Sequence, residues 1–211
     1  MINNAESGHE EVMAHVGLTL GDSSAGAIEA PSVKDVTAEK RLREMVEAHY
    51  DFVWRSLRRL GVASGDVDDG AQQVFSTVAR KLGSIRSGRE RSFLFQTSLR
   101  VAADSRRTRR RRREVAEVTE DEQPADHAPS GEDLLDLRRA REHLDRLLDG
   151  MSLELRAVFV LFELDEMTMA EIAELLDLPA GTVASRLRRA RAEFRQKVDS
   201  MPARKIGGGT T

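Results

Sequence analysis

Between Met169 and Phe194 the sequence reads MAEIAELLDLPAGTVASRLRRARAEF, and this stretch limits the fold more sharply than any other. Thr168 and Glu171 make the T-x-x-E pattern of a capping box, and Ile172, Ala173, Leu175 and Leu176 follow at helical spacing. Asp177, Leu178 and Pro179 break that period, because proline disfavours helical geometry in the residue before it and fits the first turn of a new helix. Beyond the break Val183, Leu187, Ala190 and Phe194 share one helical face, leaving Thr182, Ser185, Arg186, Arg188, Arg189 and Arg191 around the others. The spacing therefore predicts two helices joined by a tight turn, the second with one face for packing and another for hydrogen-bond donors.

A helix-turn-helix needs this arrangement: small polar residues near the start of the second helix approach base edges, and arginines reach guanines or phosphates. An ordinary helical hairpin with a solvated surface is the competing reading. From Pro179 to Lys205 there are eight Lys or Arg and two acids, Glu193 and Asp199. Solvated faces are usually mixed in sign, so this imbalance favours contact with nucleic acid.

Charge is segregated along the whole chain, and the net value of -3 hides it. Residues 1–39 carry seven acids and one lysine, residues 86–113 eleven arginines and two acids, and residues 114–136 nine acids with no Lys or Arg. Charged residues make up 33% of the 211 positions and aromatics 4%, which suits small helical units better than one large aromatic core. The absence of cysteine excludes disulfides, thiolate metal sites and cysteine catalysis. No apolar run approaches the roughly 20 residues of a membrane span, and the amino terminus lacks a signal-peptide pattern, so a cytoplasmic location is expected.

Five segments follow from these shifts. Residues 1–39 have the composition of a disordered acidic tail, and His9 and His15 lack the spacing of a metal site. Residues 40–113 form a first helical domain. In it Leu42, Met45, Val46, His49, Phe52, Val53, Leu57 and Leu60 line one helix that Gly61 ends. Asp66 is placed to cap a second helix with a stripe of Val67, Ala71, Val74, Phe75, Val78 and Leu82, and Gly83 to end it. Ser92 is placed to cap a third, which runs through Phe93, Leu94, Thr97, Val101 and Ala102 into RRTRRRRR, where seven of eight residues are arginine. Residues 114–133, with Pro124, Pro129 and Gly131, read as a flexible acidic linker. Residues 134–198 form a second helical domain that contains the hairpin, and 199–211 a flexible tail. The fold class is all-α.

Two helical modules, the first ending in a basic helix and the second in a helix-turn-helix, resemble a bacterial sigma factor of the extracytoplasmic-function type over about residues 40–198. The segment MSLELRAVFVLFELDEMTMAEIAELLDLPAGTVASRLRRARAEFR is similar to that family's helix before the motif, its E-I-A-x-x-L helix and its G-T-V-x-S-R-L-x-R-A-R recognition helix. The resemblance implies that Gly181, Thr182, Ser185, Arg186, Arg188 and Arg189 read the minus-35 element, with Ala184 where many members carry lysine. DVDDGAQQVF resembles the family's D-x-E-D-L-x-Q-E-V-F helix, which docks on the polymerase beta-prime clamp. Asp69, Gln72 and Gln73 then face the polymerase, with Gly70 in place of the usual apolar residue. SFLFQTSLRVAADSRRTRRRRR is similar to the promoter-melting helix. The loop before it and the helix itself imply Arg86, Ser87, Arg89, Arg91, Arg100, Arg106, Arg107, Arg109 and Arg110 as minus-10 and melting contacts. The implied partners are core RNA polymerase through its beta-prime clamp and beta flap, promoter DNA, and an anti-sigma factor such as those that commonly hold members of the family; no cofactor is implied.

A stand-alone helix-turn-helix regulator needs neither the basic helix nor the clamp-like segment. A site-specific recombinase needs a nucleophilic Ser or Tyr in a catalytic domain. The single tyrosine, Tyr50, lies in an apolar helix, where packing accounts for it. The expected function is a non-catalytic specificity subunit of RNA polymerase.

Overall fold

The computed structural model describes residues 8–9, 12–14, 33–115 and 132–200, and every regular element among them is helical. Helix α1 spans Val33–Leu60 and buries Leu42, Met45, Val46, Tyr50, Val53, Leu57 and Leu60. It ends at Gly61, whose φ of 98° lets Gly61 N–H reach Arg58 O and Val62 N–H reach Leu57 O, both at 3.1 Å. This pair of bonds satisfies carbonyls that a helix end otherwise leaves open.

Helix α2 spans Val67–Lys81 and crosses α1 with Val67, Gly70, Ala71, Val74, Phe75 and Val78 buried. Asp66 precedes it but makes no side-chain cap bond, because the 3-10 turn Ser64–Asp66 already leads the backbone in. A second such turn, Leu82–Ser84, ends it ahead of Gly83. Gly70 sits where three helices meet: a Cβ there would lie 3.3 Å from Leu57 Cδ1 and 3.5 Å from Val101 Cγ1. A side chain at this position would press on Leu57.

Helix α3 spans Glu90–Val115 and packs Leu94, Phe95, Thr97, Ser98, Val101 and Ala102 against α1 and α2. It begins two residues before Ser92, so that serine is not its cap. The Ser92 hydroxyl instead donates to Leu175 O at 2.7 Å, 83 residues away in sequence.

Helices α4 (Glu132–Asp149), α5 (Leu153–Glu163), α6 (Met169–Leu176) and α7 (Ala180–Ser200) make the second group. Ser152 caps α5, accepting from Leu155 N–H. The Thr168–Glu171 capping box is present in both directions, with Thr168 N–H to Glu171 Oε2 at 2.8 Å and Glu171 N–H to Thr168 Oγ1 at 3.3 Å. Asp177 then turns the chain at φ 53°, and α7 lies back across α5, with Phe159 and Phe194 stacked at 4.9 Å.

The acidic tail expected over residues 1–39 holds structure at two places. Helix α1 begins at Val33, and Val12 and Met13 are buried in the core that α1 and α2 build. Most of the acidic linker, residues 116–131, and the tail 201–211 lie outside the described residues. The two helical groups are not separate bodies: Ala157, Val158, Leu161, Ile172, Leu175 and Leu176 join the same apolar cluster as Leu57, Leu60 and Phe95. No helix among the described residues is long and apolar enough to cross a membrane.

Candidate nucleic-acid interface

Helix α7 separates its two jobs by period. Val183, Leu187 and Ala190 are buried against α5 and α6, which turns Gly181, Arg188 and Arg189 to solvent and leaves Thr182, Ser185 and Arg186 half-buried at the rim. The Ser185 hydroxyl is engaged locally, donating to Thr182 O at 2.9 Å. Open space surrounds the Gly181 Cα, so the start of α7 admits close approach by another molecule. Arg191 differs from its neighbours. Its Nε donates to Glu163 Oε1 at 2.6 Å and its guanidinium lies 5.0 Å from the Phe162 ring centroid, so it fastens α7 to α5. Beside it a groove of about 540 Å³, lined by Phe162, Met169, Leu187, Arg188, Ala192 and Arg195 among others, combines an apolar floor with a cationic edge.

The loop before α3 is held at its base. Arg41 of α1 donates to Ile85 O at 2.6 Å and to Leu82 O at 3.3 Å, and approaches Glu90 Oε1 at 3.4 Å. Burial raises the Glu90 pKa, but hydrogen bonds from backbone amides and Arg41, with the Arg41 charge, outweigh it and hold the carboxyl below its ordinary value. Gly88 turns the loop at φ 79°. Arg86, Ser87, Arg89 and Arg91 project from this base into solvent, and the Arg91 guanidinium lies 4.5 Å from the Phe52 ring centroid.

Along α3 the expected contact residues divide. Arg100, Arg107 and Arg110 are exposed. Arg106 is turned inward to the second helical group, donating from Nη2 to Asp149 O at 2.9 Å and to Met151 O at 2.8 Å, and Arg109 lies 3.9 Å from Asp149 Oδ2. Arg89 pairs with Glu174 at 3.4 Å, and Gln96 Nε2 donates to Leu176 O at 2.8 Å. The surface expected to meet DNA is thus partly covered by α4 and α6.

Arg156 anchors that cover. The side chain has no exposed surface, and it donates to Arg59 O at 2.6 Å and Asp149 Oδ1 at 2.9 Å, with Asp145 Oδ1 at 3.4 Å. Burial lowers its pKa, and the bond and charge of Asp149 act in the opposite sense. Burial raises the pKa of Asp145, against the pull of Arg58 and Arg156. Arg59 also pairs with Asp165. Hydrophobic periodicity does not single out Arg156, yet one signal exists: an arginine within LELRAVFVLFE, a helix apolar on nearly every side, must find buried partners.

On α2, Asp69 and Gln73 are exposed and Gln72 is half-buried. Asp68, which no motif singled out, accepts from Trp54 Nε1 at 3.0 Å and Tyr50 Oη at 3.2 Å. Among the described residues no cluster of His, Cys, Asp and Glu could hold a metal ion.

Residues 45–112 match the family described as Sigma-70 region 2, and residues 141–194 match Sigma-70, region 4. The chain is 29% identical over 175 residues to the ECF RNA polymerase sigma factor SigE of Mycolicibacterium smegmatis, covering 82% of this chain and 68% of that one. It is 28% identical over 173 residues to the ECF RNA polymerase sigma-E factor of Escherichia coli, covering 77% and 90%. Two solved structures share the fold: CnrH in complex with the cytosolic domain of CnrY, at TM-score 0.56 and 22% identity over 79% of this chain and 96% of that one, and RpoE of Bartonella quintana in complex with the anti-sigma factor NepR, at TM-score 0.52 and 20% identity over 81% and 100%.

Proposed function

We propose that this chain, which belongs to the sigma-70 family in its extracytoplasmic-function group, works as a dissociable specificity subunit that directs core RNA polymerase to promoters and helps part the strands. It acts in the cytoplasm, supplies no catalytic group, and is open to restraint by an anti-sigma factor, as the complex of RpoE with NepR illustrates for a structural relative. The observation that carries this reading is the division of α7, whose buried Val183, Leu187 and Ala190 fix the helix while Gly181, Thr182, Ser185, Arg186, Arg188 and Arg189 are left to meet a major groove at the minus-35 element.

The preformed loop from Arg86 to Arg91 and the exposed arginines of α3 take the minus-10 element and the separated strands. An aromatic wall with a cation above it, Phe52 under Arg91, suits an unstacked base better than a paired one. Arg106 and Arg109 reach backbone phosphate only after Asp149 and Met151 release them, so promoter binding requires the two helical groups to part. Asp69, Gln72 and Gln73 form the polymerase-docking face.

Transcription from a randomised promoter library by core polymerase, with and without the chain, tests this function. Enrichment of two separated elements that depends on both the chain and the polymerase is the expected result. Duplex selection by the chain alone, with no change in initiation by polymerase, would identify a stand-alone regulator.

A further inference from the structure

Gly8, His9, Val12 and Met13 lie against the side of the α1–α2 pair that carries the proposed docking face. Val12 is 1% exposed and Met13 6%, and both belong to the core cluster with Val46, Tyr50 and Phe75. The His9 ring meets the Tyr50 ring edge-on, with centroids 5.5 Å apart and planes at 88°. Gly8 and Val12 line one narrow cleft with Asp68, Asp69 and Gln72. At Gly8 the fit excludes any side chain: a Cβ would lie 2.1 Å from Tyr50 Oη and 2.8 Å from Asp68 Oδ1.

We infer that Gly8, His9 and residues 12–14 are a detachable cover beside the polymerase-docking face of α2, competing with the polymerase for the surface that adjoins Asp69 and Gln72. This rests on the docking role proposed for those two residues. Charge makes the cover displaceable. The face presents Asp66 and Asp69, with Asp68 half-buried beside them, while the chain up to Lys34 holds Glu6, Glu10, Glu11, Asp22 and Glu29 and no Lys or Arg. The cover therefore hides apolar surface without neutralising the acids next to it. A partner bringing cationic groups gains an attraction that a segment without Lys or Arg cannot supply, and occupies the same place. Screening the acid–acid repulsion with salt strengthens the cover and weakens the attraction of a cationic partner, so both effects favour the covered state.

The test measures affinity of the full chain for core RNA polymerase in the wild type, Val12→Asp, Gly8→Ala, and Asp69→Ala with Gln72→Ala, alone and combined with Val12→Asp. If the face is open in about one molecule in ten, Val12→Asp binds roughly tenfold more tightly, and Gly8→Ala shifts in the same direction by less. Asp69→Ala with Gln72→Ala weakens binding in both backgrounds. Unchanged affinity in Val12→Asp, with the double variant still weakened, overturns the cover and leaves the docking face intact. A double variant that binds normally removes the docking reading and the cover with it. Hydrogen exchange on the wild type gives a check free of substitutions: amides of residues 12–14 lose protection when polymerase binds, and retained protection overturns the inference.

Discussion

The Arg156 guanidinium meets the Asp149 carboxylate at 2.9 Å in a site from which solvent is excluded on the arginine side, and the same guanidinium donates to Arg59 O across the junction of the two helical groups. One residue of α5 thus closes contacts to both α1 and α4. Arg156→Ala leaves Asp145 and Asp149 with only the longer Arg58 and Arg109 contacts and opens an empty space, and lowers stability by less than the roughly 3 to 5 kcal/mol of a fully buried pair, since both carboxylates keep contact with solvent. Arg156→Met fills the volume and costs less. Urea unfolding at neutral pH measures both; equal losses would mean that pairing, with no share from packing, holds the junction.

Arginines on α7 with similar sequence surroundings should behave differently. Arg186→Ala weakens promoter binding by about 1 to 3 kcal/mol and relaxes base choice at one position of the minus-35 element. Arg191→Ala removes the Glu163 bond and the Phe162 contact, and lowers stability with little change in base preference. Binding to a panel of single-base promoter variants separates the two. Equal loss across all variants for Arg186→Ala would assign it to phosphate.

A Cβ at Gly70 would press on Leu57. Gly70→Leu should destabilise by about 1 to 3 kcal/mol, because the added side chain drives into Leu57 and Val101 at the crossing of α1, α2 and α3. Thermal unfolding checks this, and an unchanged midpoint would show that the crossing can widen.

His49 gives the fold a pH dependence of known sign. Burial first, then the Arg91 charge, hold its pKa below 6.5, against a smaller opposing pull from Glu90. The folded state therefore resists protonation more than the unfolded chain does. Stability from this group is intact above pH 6.5 and falls as pH drops through that value toward the lowered folded one. His49→Gln should flatten the decline in stability as pH falls below 6.5. A variant with the wild-type slope would place the effect elsewhere.

The hairpin was legible because its signals are local. Thr168 and Glu171 are three residues apart, and Asp177 to Pro179 break one period before Val183 starts another. The junction was not legible, since Ser92, Gln96, Arg106 and Arg156 find partners 83, 80, 43 and 97 residues away and no spacing rule joins such pairs. The arginines that the family resemblance implies as DNA contacts are divided, with Arg107 outward and Arg106 inward on the same helix, because the identity of a neighbouring surface decides what a cation meets. At the amino terminus acidity masked a weaker pattern: His9, Val12 and Met13 lie at i, i+3 and i+4, the spacing of a short apolar face.

Gly61 ends α1 by adopting a φ of 98°, and a Cβ at the same position would lie 2.9 Å from Arg156 Nη1. The stop of the first group's longest helix and the seat of the second group's buried cation are one residue. Fraying at the end of α1 therefore removes the Arg59 carbonyl and the space that Arg156 occupies together. Two segments that match separate family regions are in this way tied into a single cooperative melting unit, and heat should dissolve both in one transition where independent modules would give two.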